Sequence, residues 1–258
     1  MKALDAAGLL DVWERGAPLG PSDRALLLLG RARPDLPADA LGAVPIGRRD
    51  AELVRLRRAL FGSRMTAIVS CPACAEPLEL DIDLDAIAAS VELSPEPSDS
   101  RDAAERRVPV VVGEREVSVR IPGTDDLVAA VASALEMGGD IERSAFNQQA
   151  AIRRALIARL VDDPGDLDTD GFADTVSAAI LDADPGAEIR LAVTCACCGH
   201  AWDTDLDIAS YLWTELEHTA RRIAADVAGL AAAYGWREPD ALALTPWRRE
   251  LYLALAAG

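Results

Sequence analysis

This chain of 258 residues has little of what most catalysts and nucleic-acid binders are built from. Its two histidines, His200 and His218, leave acid–base chemistry to carboxylates. It has no glycine-rich phosphate loop, no Gly-x-Ser-x-Gly elbow and no His-Glu-x-x-His helix, so no enzyme and no small-molecule substrate are expected. Bases are few, 26 against 43 acids, giving a formal charge of −17. Duplex DNA and anionic membrane surfaces both demand a basic face, so no nucleic acid is expected as a partner. No run of about eighteen apolar residues exists, so no membrane insertion is expected. The start, MKALDAAGLLDVWERG, has acids and a tryptophan where the apolar stretch of an export signal would lie, and a cytoplasmic protein is expected. Aromatics make up only 4% of the chain, while Ala and Leu fill most of an apolar half, which favours helix. The acidity suits a basic protein partner or plain solubility.

Cysteine is also scarce, with five residues, an odd number. Four of them form two Cys-x-x-Cys pairs, which argues for a reducing compartment and a metal rather than disulfides. The pairs belong to a sentence written twice. Residues 65–84 read MTAIVSCPACAEPLELDIDL and residues 189–208 read IRLAVTCACCGHAWDTDLDI. Cys71 falls on Cys195, Cys74 on Cys198, Leu78 on Trp202, Asp81 on Asp205, Asp83 on Asp207 and Leu84 on Ile208, at a constant offset of 124 (195 − 71 and 207 − 83).

Each copy reads as a strand, a Cys-x-x-Cys turn and a second alternating strand. Zinc takes four soft ligands in a tetrahedron, and one such pair supplies one edge of it. Cys71, Cys74, Cys195 and Cys198 together make a structural Zn2+ site, a zinc ribbon split by a long insertion. Four thiolates leave no vacancy for catalysis. A dithiol redox site needs a thioredoxin-like βαβ setting, where here strands follow. Cys197 reads as a spare buried thiol and His200 as a turn histidine; substitution of either as a ligand stays open.

The fold class expected is α+β, mostly helical, with the split four-cysteine ribbon and a β-hairpin. The organisation reads as an N-terminal helical region (1–64), a first knuckle (65–92), an inserted hairpin and helical region (105–188), a second knuckle (189–208) and a C-terminal helical region (209–258). Helices are expected over 3–16, 22–32, 50–62, 84–90, 125–136, 144–162, 173–182 and 207–232, with two short ones after Glu238 and Pro246. The hairpin spans 107–122 and turns at Gly113-Glu114. The stretch 94–104, rich in Ser, Pro and acid, reads as a flexible loop. The acidic loop 162–171 lacks EF-hand spacing and reads as a solvated turn. Arg55, Arg57 and Arg58 fall largely off the leucine stripe of helix 50–62; they read as a solvated face, or as a contact for an acidic partner or for the chain's own acidic neighbours. The alternating acids Asp81, Asp83, Asp85 and Asp203, Asp205, Asp207 share strand faces, where they blunt edge pairing more readily than they catalyse.

The C-terminal stretch carries Cys195, Cys198, Gly199 and His200, then Asp207, Tyr211, Leu212 and Trp213. It continues with Tyr234, Gly235, Trp236 and Glu238 and closes on Pro246, Arg248, Arg249, Tyr252 and Leu253. With DVWERG (11–16), IGRRDAELVRLRRALFG (46–62), CPAC (71–74) followed by LELDIDL, and RIPGTDDL (120–127), this pattern resembles the baseplate family of contractile phage tails and bacterial contractile injection systems. Ala75 stands where a glycine commonly follows the first knuckle, and the second knuckle lacks proline and carries Cys197.

The resemblance implies a non-enzymatic baseplate subunit, made in the cytoplasm and assembled into a contractile particle that couples target contact to sheath contraction. Its implied partners are other baseplate subunits (hub, wedge, spike or sheath-initiating proteins) in a hetero-oligomeric assembly. Candidate interface residues are Arg55, Arg58, Trp213, Tyr234, Trp236, Trp247, Arg248, Arg249 and Tyr252, since tryptophan, tyrosine and arginine dominate hot spots. Core packing is the plainer role for the aromatics among them. Two other classes stand beside this reading: an assembly chaperone absent from the finished particle, and a zinc-ribbon adaptor unrelated to injection.

Overall fold

The computed structural model describes residues 4–91, 106–112, 115–136, 145–162 and 171–257. The loop at 94–104, the hairpin tip at 113–114 and residues 163–170 of the acidic loop lie outside them. The fold is mostly helical with small antiparallel strand pairs, an α+β architecture. Two compact units divide the chain, Met1–Leu28 with Ile208–Gly258, and Leu29–Asp207.

In the first unit, α1 (Ala6–Gly16) packs along the long helix α8 (Ile208–Tyr234). Asp5 caps α1 by accepting from Gly8 N–H at 2.8 Å. The helical spacing of α8 predicts an apolar stripe at 208, 212, 216, 223, 227 and 230; Ile208, Leu212, Leu216, Ile223 and Leu230 are buried, Val227 is half-buried, and Ala220 joins the buried set. Gly16 is required by the close approach of Trp213, whose ring lies 2.4 Å from where a Cβ would stand. The Arg24 guanidinium, on α2 (Pro21–Ala32), covers the Trp213 ring at 4.6 Å and donates to the carbonyls of Gly16 and Ala17. After α8 come α9 (Glu238–Leu242) and α10 (Pro246–Ala257). The inner face of α10 meets α8: a Cβ on Gly229 would stand 2.7 Å from Leu253, and buried Arg249 faces Asp226 at 3.9 Å.

The second unit holds two short antiparallel ribbons at the two copies of the repeat, strands β1 (Arg64–Ser70) with β2 (Pro77–Asp83), and β5 (Arg190–Thr194) with β6 (Ala201–Asp205). Helix α3 (Ile46–Phe61) precedes the first ribbon and α4 (Leu84–Val91) follows it. Between the ribbons lies a hairpin of β3 (Arg107–Val112) and β4 (Arg115–Arg120), followed by α5 (Thr124–Glu136), α6 (Ala145–Leu160) and α7 (Phe172–Ala183). Its core combines Val110, Val117 and Val119 of the hairpin with Ile157, Leu160 and Val161, and with Phe172, Val176 and Ile180 of α7.

Helix α3 begins at Ile46, four residues before the sequence pattern placed it. Asp184, 137 residues away, accepts from Gly47 N–H at 2.8 Å and satisfies an amide of the first turn. Burial pushes the Asp184 carboxyl up, against the pull of Gly47 N–H, Arg106 and Arg49. The same helix end is tied to the segment after β4. Ile46 N–H donates to Pro122 O at 3.2 Å, and Arg49 donates to Thr124 Oγ1 at 3.0 Å. Asp126, itself buried, takes both Arg120 nitrogens at 2.7 Å and Gly123 N–H at 3.0 Å. Burial works against that carboxylate, but the Arg120 guanidinium and Gly123 N–H hold it below its ordinary range.

Candidate metal centre

The two halves of the repeat fold alike down to single hydrogen bonds. In the first ribbon Cys71 N–H donates to Glu76 O at 2.9 Å and Ala75 N–H to Cys71 O at 2.8 Å. In the second, Cys195 N–H donates to His200 O at 2.8 Å and Gly199 N–H to Cys195 O at 2.9 Å. Every atom pair is displaced by the same 124 residues (195 − 71, 199 − 75, 200 − 76). Strand register follows suit, Ser70 opposite Pro77 and Thr194 opposite Ala201. The turn needs a left-handed residue after its second cysteine; Gly199 provides it at φ 74° and Ala75 at φ 59°. Alanine pays a steric cost there that glycine avoids. Ala75→Gly should therefore raise stability by roughly 0.5–1 kcal/mol. The check is chemical denaturation of the metal-loaded chain, where an unchanged midpoint would mean the turn carries no strain.

The turns bring four sulfurs together. Cys71, Cys74, Cys195 and Cys198 each present an Sγ, and all four lie within 4.8 Å of one another. Two contacts cross between the ribbons: Cys71 to Cys198 and Cys74 to Cys195, both at 3.7 Å. Zn–S bonds of about 2.3 Å place the sulfurs of a tetrahedron about 3.8 Å apart, so these two edges already have the right length. The first cysteine of each pair is buried and the second exposed, so each short contact joins an inner sulfur to an outer one. All five cysteines are free.

The electrostatics fit the same purpose. Burial opposes ionisation of Cys71, yet the N–H groups of Cys74 and Ala73 and the thiols of Cys74 and Cys195 bring it down to about 7. At Cys74 the Glu76 N–H pulls downward, but the Cys198 thiol, desolvation, and the Cys195 and Cys71 thiols push it up to about 12. Cys198 is likewise pushed up, by desolvation and the thiols of Cys195 and Cys71, against the His200 N–H and Cys74. Sulfurs this close resist carrying four negative charges alone; a divalent cation removes the repulsion and expels protons from the outer thiols as it binds. The four side chains fit a metal ion by donor type, number and spacing.

No family model, curated protein or solved structure matches the chain.

The cluster consists of the four cysteines of the repeat, without Cys197 or His200. Cys197 is exposed, not buried as the sequence suggested; it lies in the turn between Cys195 and Cys198. His200 gives its carbonyl to Cys195 N–H, while its ring stacks on Trp202 at 5.9 Å between centroids. The aspartates at 81, 85, 203, 205 and 207 are exposed; Asp85 pairs with Arg58.

The arginine cluster is engaged within the chain. Arg55 pairs with Glu52 at 3.2 Å, and Arg58 with Asp85. Arg57 does not belong to a solvated face: it is 3% exposed and donates to the carbonyls of Gly62 and Arg64, both at 2.6 Å. It thereby fastens the end of α3 to the base of the first ribbon, a positioning role the periodicity missed. The available signal was its place five residues before the helix stop at Gly62, within reach of the carbonyls that follow the helix end.

The remaining candidates sit in the first unit. Trp213 is core, 5% exposed. Tyr234, Trp236 and Tyr252 form one aromatic cluster: Trp236 stacks on Tyr234 at 4.9 Å and meets Tyr252 edge-on at 5.0 Å, and Tyr234 Oη donates to Tyr252 O at 2.9 Å. Arg249 is buried, whereas Trp247 and Arg248 are exposed.

Proposed function

We propose that this chain is a structural, non-enzymatic subunit of the baseplate of a contractile injection system or phage-tail-like particle. In this reading its four-cysteine centre holds a structural Zn2+ ion. Zinc suits the site because it has no redox chemistry and accepts four thiolates in a closed shell. The ion's contribution is mechanical: it clamps two hairpins that lie more than a hundred residues apart in sequence. A small ribbon with little core of its own gains its rigidity from such a clamp, and rigidity is what a force-transmitting part requires.

The placement of the segments that carry the family resemblance supports the assembly reading. IGRRD at the start of α3 is hydrogen-bonded to the PGTDD segment, through Ile46 with Pro122 and Arg49 with Thr124. The YGW and RR-x-x-YL segments share one aromatic cluster through Trp236 and Tyr252. Gly16, the last residue of DVWERG, lies against Trp213.

Deleting the gene should abolish assembled contractile particles in negative-stain images of the producing strain. Normal particles in the deletion strain would end the reading. Finding the protein in purified particles at fixed stoichiometry separates a permanent subunit from an assembly chaperone.

A further inference from the structure

Helix α10 carries a charge on the face it buries. Arg249 is 4% exposed, and its Nε and Nη1 have no hydrogen-bond acceptor among the described residues. Asp226 Oδ2, on α8, lies 3.9 Å from Nη1, which gives attraction but no hydrogen bond. The guanidinium cannot shed its proton to escape burial. Little apolar burial offsets this. Of the large apolar side chains of α10, Tyr252 and Leu253 are half-buried, whereas Trp247, Leu251 and Leu255 are exposed.

Magnitudes decide how firmly the helix is held. Two ring contacts reach it, Trp236 with Tyr252 at 5.0 Å and Tyr234 with Tyr252 at 6.1 Å. Each aromatic pair favours docking by roughly two- to twelvefold. Each buried donor left without an acceptor disfavours it by roughly five- to 150-fold, and by more where the group is charged. The two effects are opposite in sign and close in size. What is left is the Tyr234 Oη bond to Tyr252 O at 2.9 Å and the packing of Leu253 beside Gly229. Once α10 leaves α8, water hydrates Arg249 and its penalty disappears. Helix α9 has an anchor of its own in fully buried Ala241, so the bend falls in residues 243–245, between α9 and α10.

We infer that α10 is a release element: in the free chain it detaches from α8 as one unit, bending at residues 243–245, and Arg249 is the residue that keeps its docking weak. This rests neither on the baseplate reading nor on the metal.

The test is hydrogen exchange, followed by mass spectrometry, on the full-length, metal-loaded chain. The amides of residues 250–256 should share one protection level, at least tenfold below that of residues 212–223 in α8. Arg249→Met keeps the length of the side chain and removes the charge; it should raise the protection of α10 at least tenfold, with α8 and metal content unchanged. Asp226→Asn withdraws the one attraction Arg249 has on α8 and should lower that protection at least threefold, but have no effect in the Arg249→Met background. Ordinary fraying looks different: protection falls steadily toward the C-terminus and ignores both substitutions. That pattern overturns the inference, as does an α10 protected as well as α8, or an Arg249→Met chain whose α10 exchanges no more slowly than the wild type. Should Arg249→Met lose the protection of α8, Asp226→Asn decides alone, and an unchanged α10 in that variant overturns the inference. None of these outcomes bears on the four-cysteine centre, whose metal content is measured separately.

Discussion

Cys195→Ser should strip the metal from the chain and lower the melting transition of the Leu29–Asp207 unit by roughly 10–20 °C, whereas Cys197→Ser should leave both unchanged. The magnitude follows from topology. The cross-ribbon contacts join residues 121 and 127 positions apart, so an ion shared by these sulfurs would close a very long loop. In the chain-entropy picture a link across about 100 residues removes roughly 4.7 kcal/mol of unfolded-state freedom. At about 2–4 °C per kcal/mol for a unit of this size, loss of the link accounts for the expected shift. A serine hydroxyl cannot replace a thiolate at a soft four-sulfur site. Cys197 is the internal control, an exposed thiol adjacent to Cys198 yet outside the cluster. A chelator should reproduce the Cys195→Ser transition in the wild-type chain. Acidification should act in the same direction, because every ligand must lose its proton to bind. Scanning calorimetry of the two variants, each with its metal content measured, decides the matter. Equal transitions in Cys195→Ser and Cys197→Ser would show that the two ribbons are not held by a shared ion.

The second large effect is expected at Gly123. A Cβ built there stands 2.4 Å from Gly42 O and 3.0 Å from the Ala43 backbone. Both obstacles are main chain, so no rotamer change relieves the clash. Gly123 also pairs with Pro45 in an isolated bridge and donates its N–H to buried Asp126. Moving the residue aside would loosen the Asp126–Arg120 pair and the hydrogen bonds holding the start of α3. Overpacking of a filled site costs about 1–3 kcal/mol, and the loss of a satisfied buried carboxylate adds to it. We therefore expect Gly123→Ala to lose roughly 3 kcal/mol or more in urea denaturation. Gly20→Ala, where nothing lies within 4 Å, should change stability by less than about 1 kcal/mol. A Gly123→Ala chain as stable as the wild type would mean this junction is loosely packed.

The four-cysteine cluster was legible in the sequence because its determinants are local. Two Cys-x-x-Cys turns at constant offset, each flanked by alternating strands, specify ligand type and turn geometry without reference to the rest of the chain. The long amphipathic helix was legible for the same reason, its stripe from Ile208 to Leu230 being written in its own periodicity. What escaped depends on distant partners. Helix α3 begins at Ile46 because an aspartate 137 residues onward meets Gly47 N–H, and no pattern within residues 40–50 announces that. Arg57 was read as solvated because amphipathic periodicity sorts residues by polarity, while this guanidinium is buried by the carbonyls it satisfies. The joining of Met1–Leu28 with Ile208–Gly258 in one unit has no local signature either. It rests on contacts such as Gly16 against Trp213, which are a matter of shape between remote segments.

Metal analysis combined with X-ray absorption spectroscopy on the freshly purified, reduced full-length chain examines the clamp itself. The expected spectrum is that of one zinc ion per chain, with four sulfur neighbours at about 2.3 Å and no nitrogen or oxygen in the shell. A chain that emerges metal-free, or a zinc ion with fewer than four sulfurs, would contradict the account.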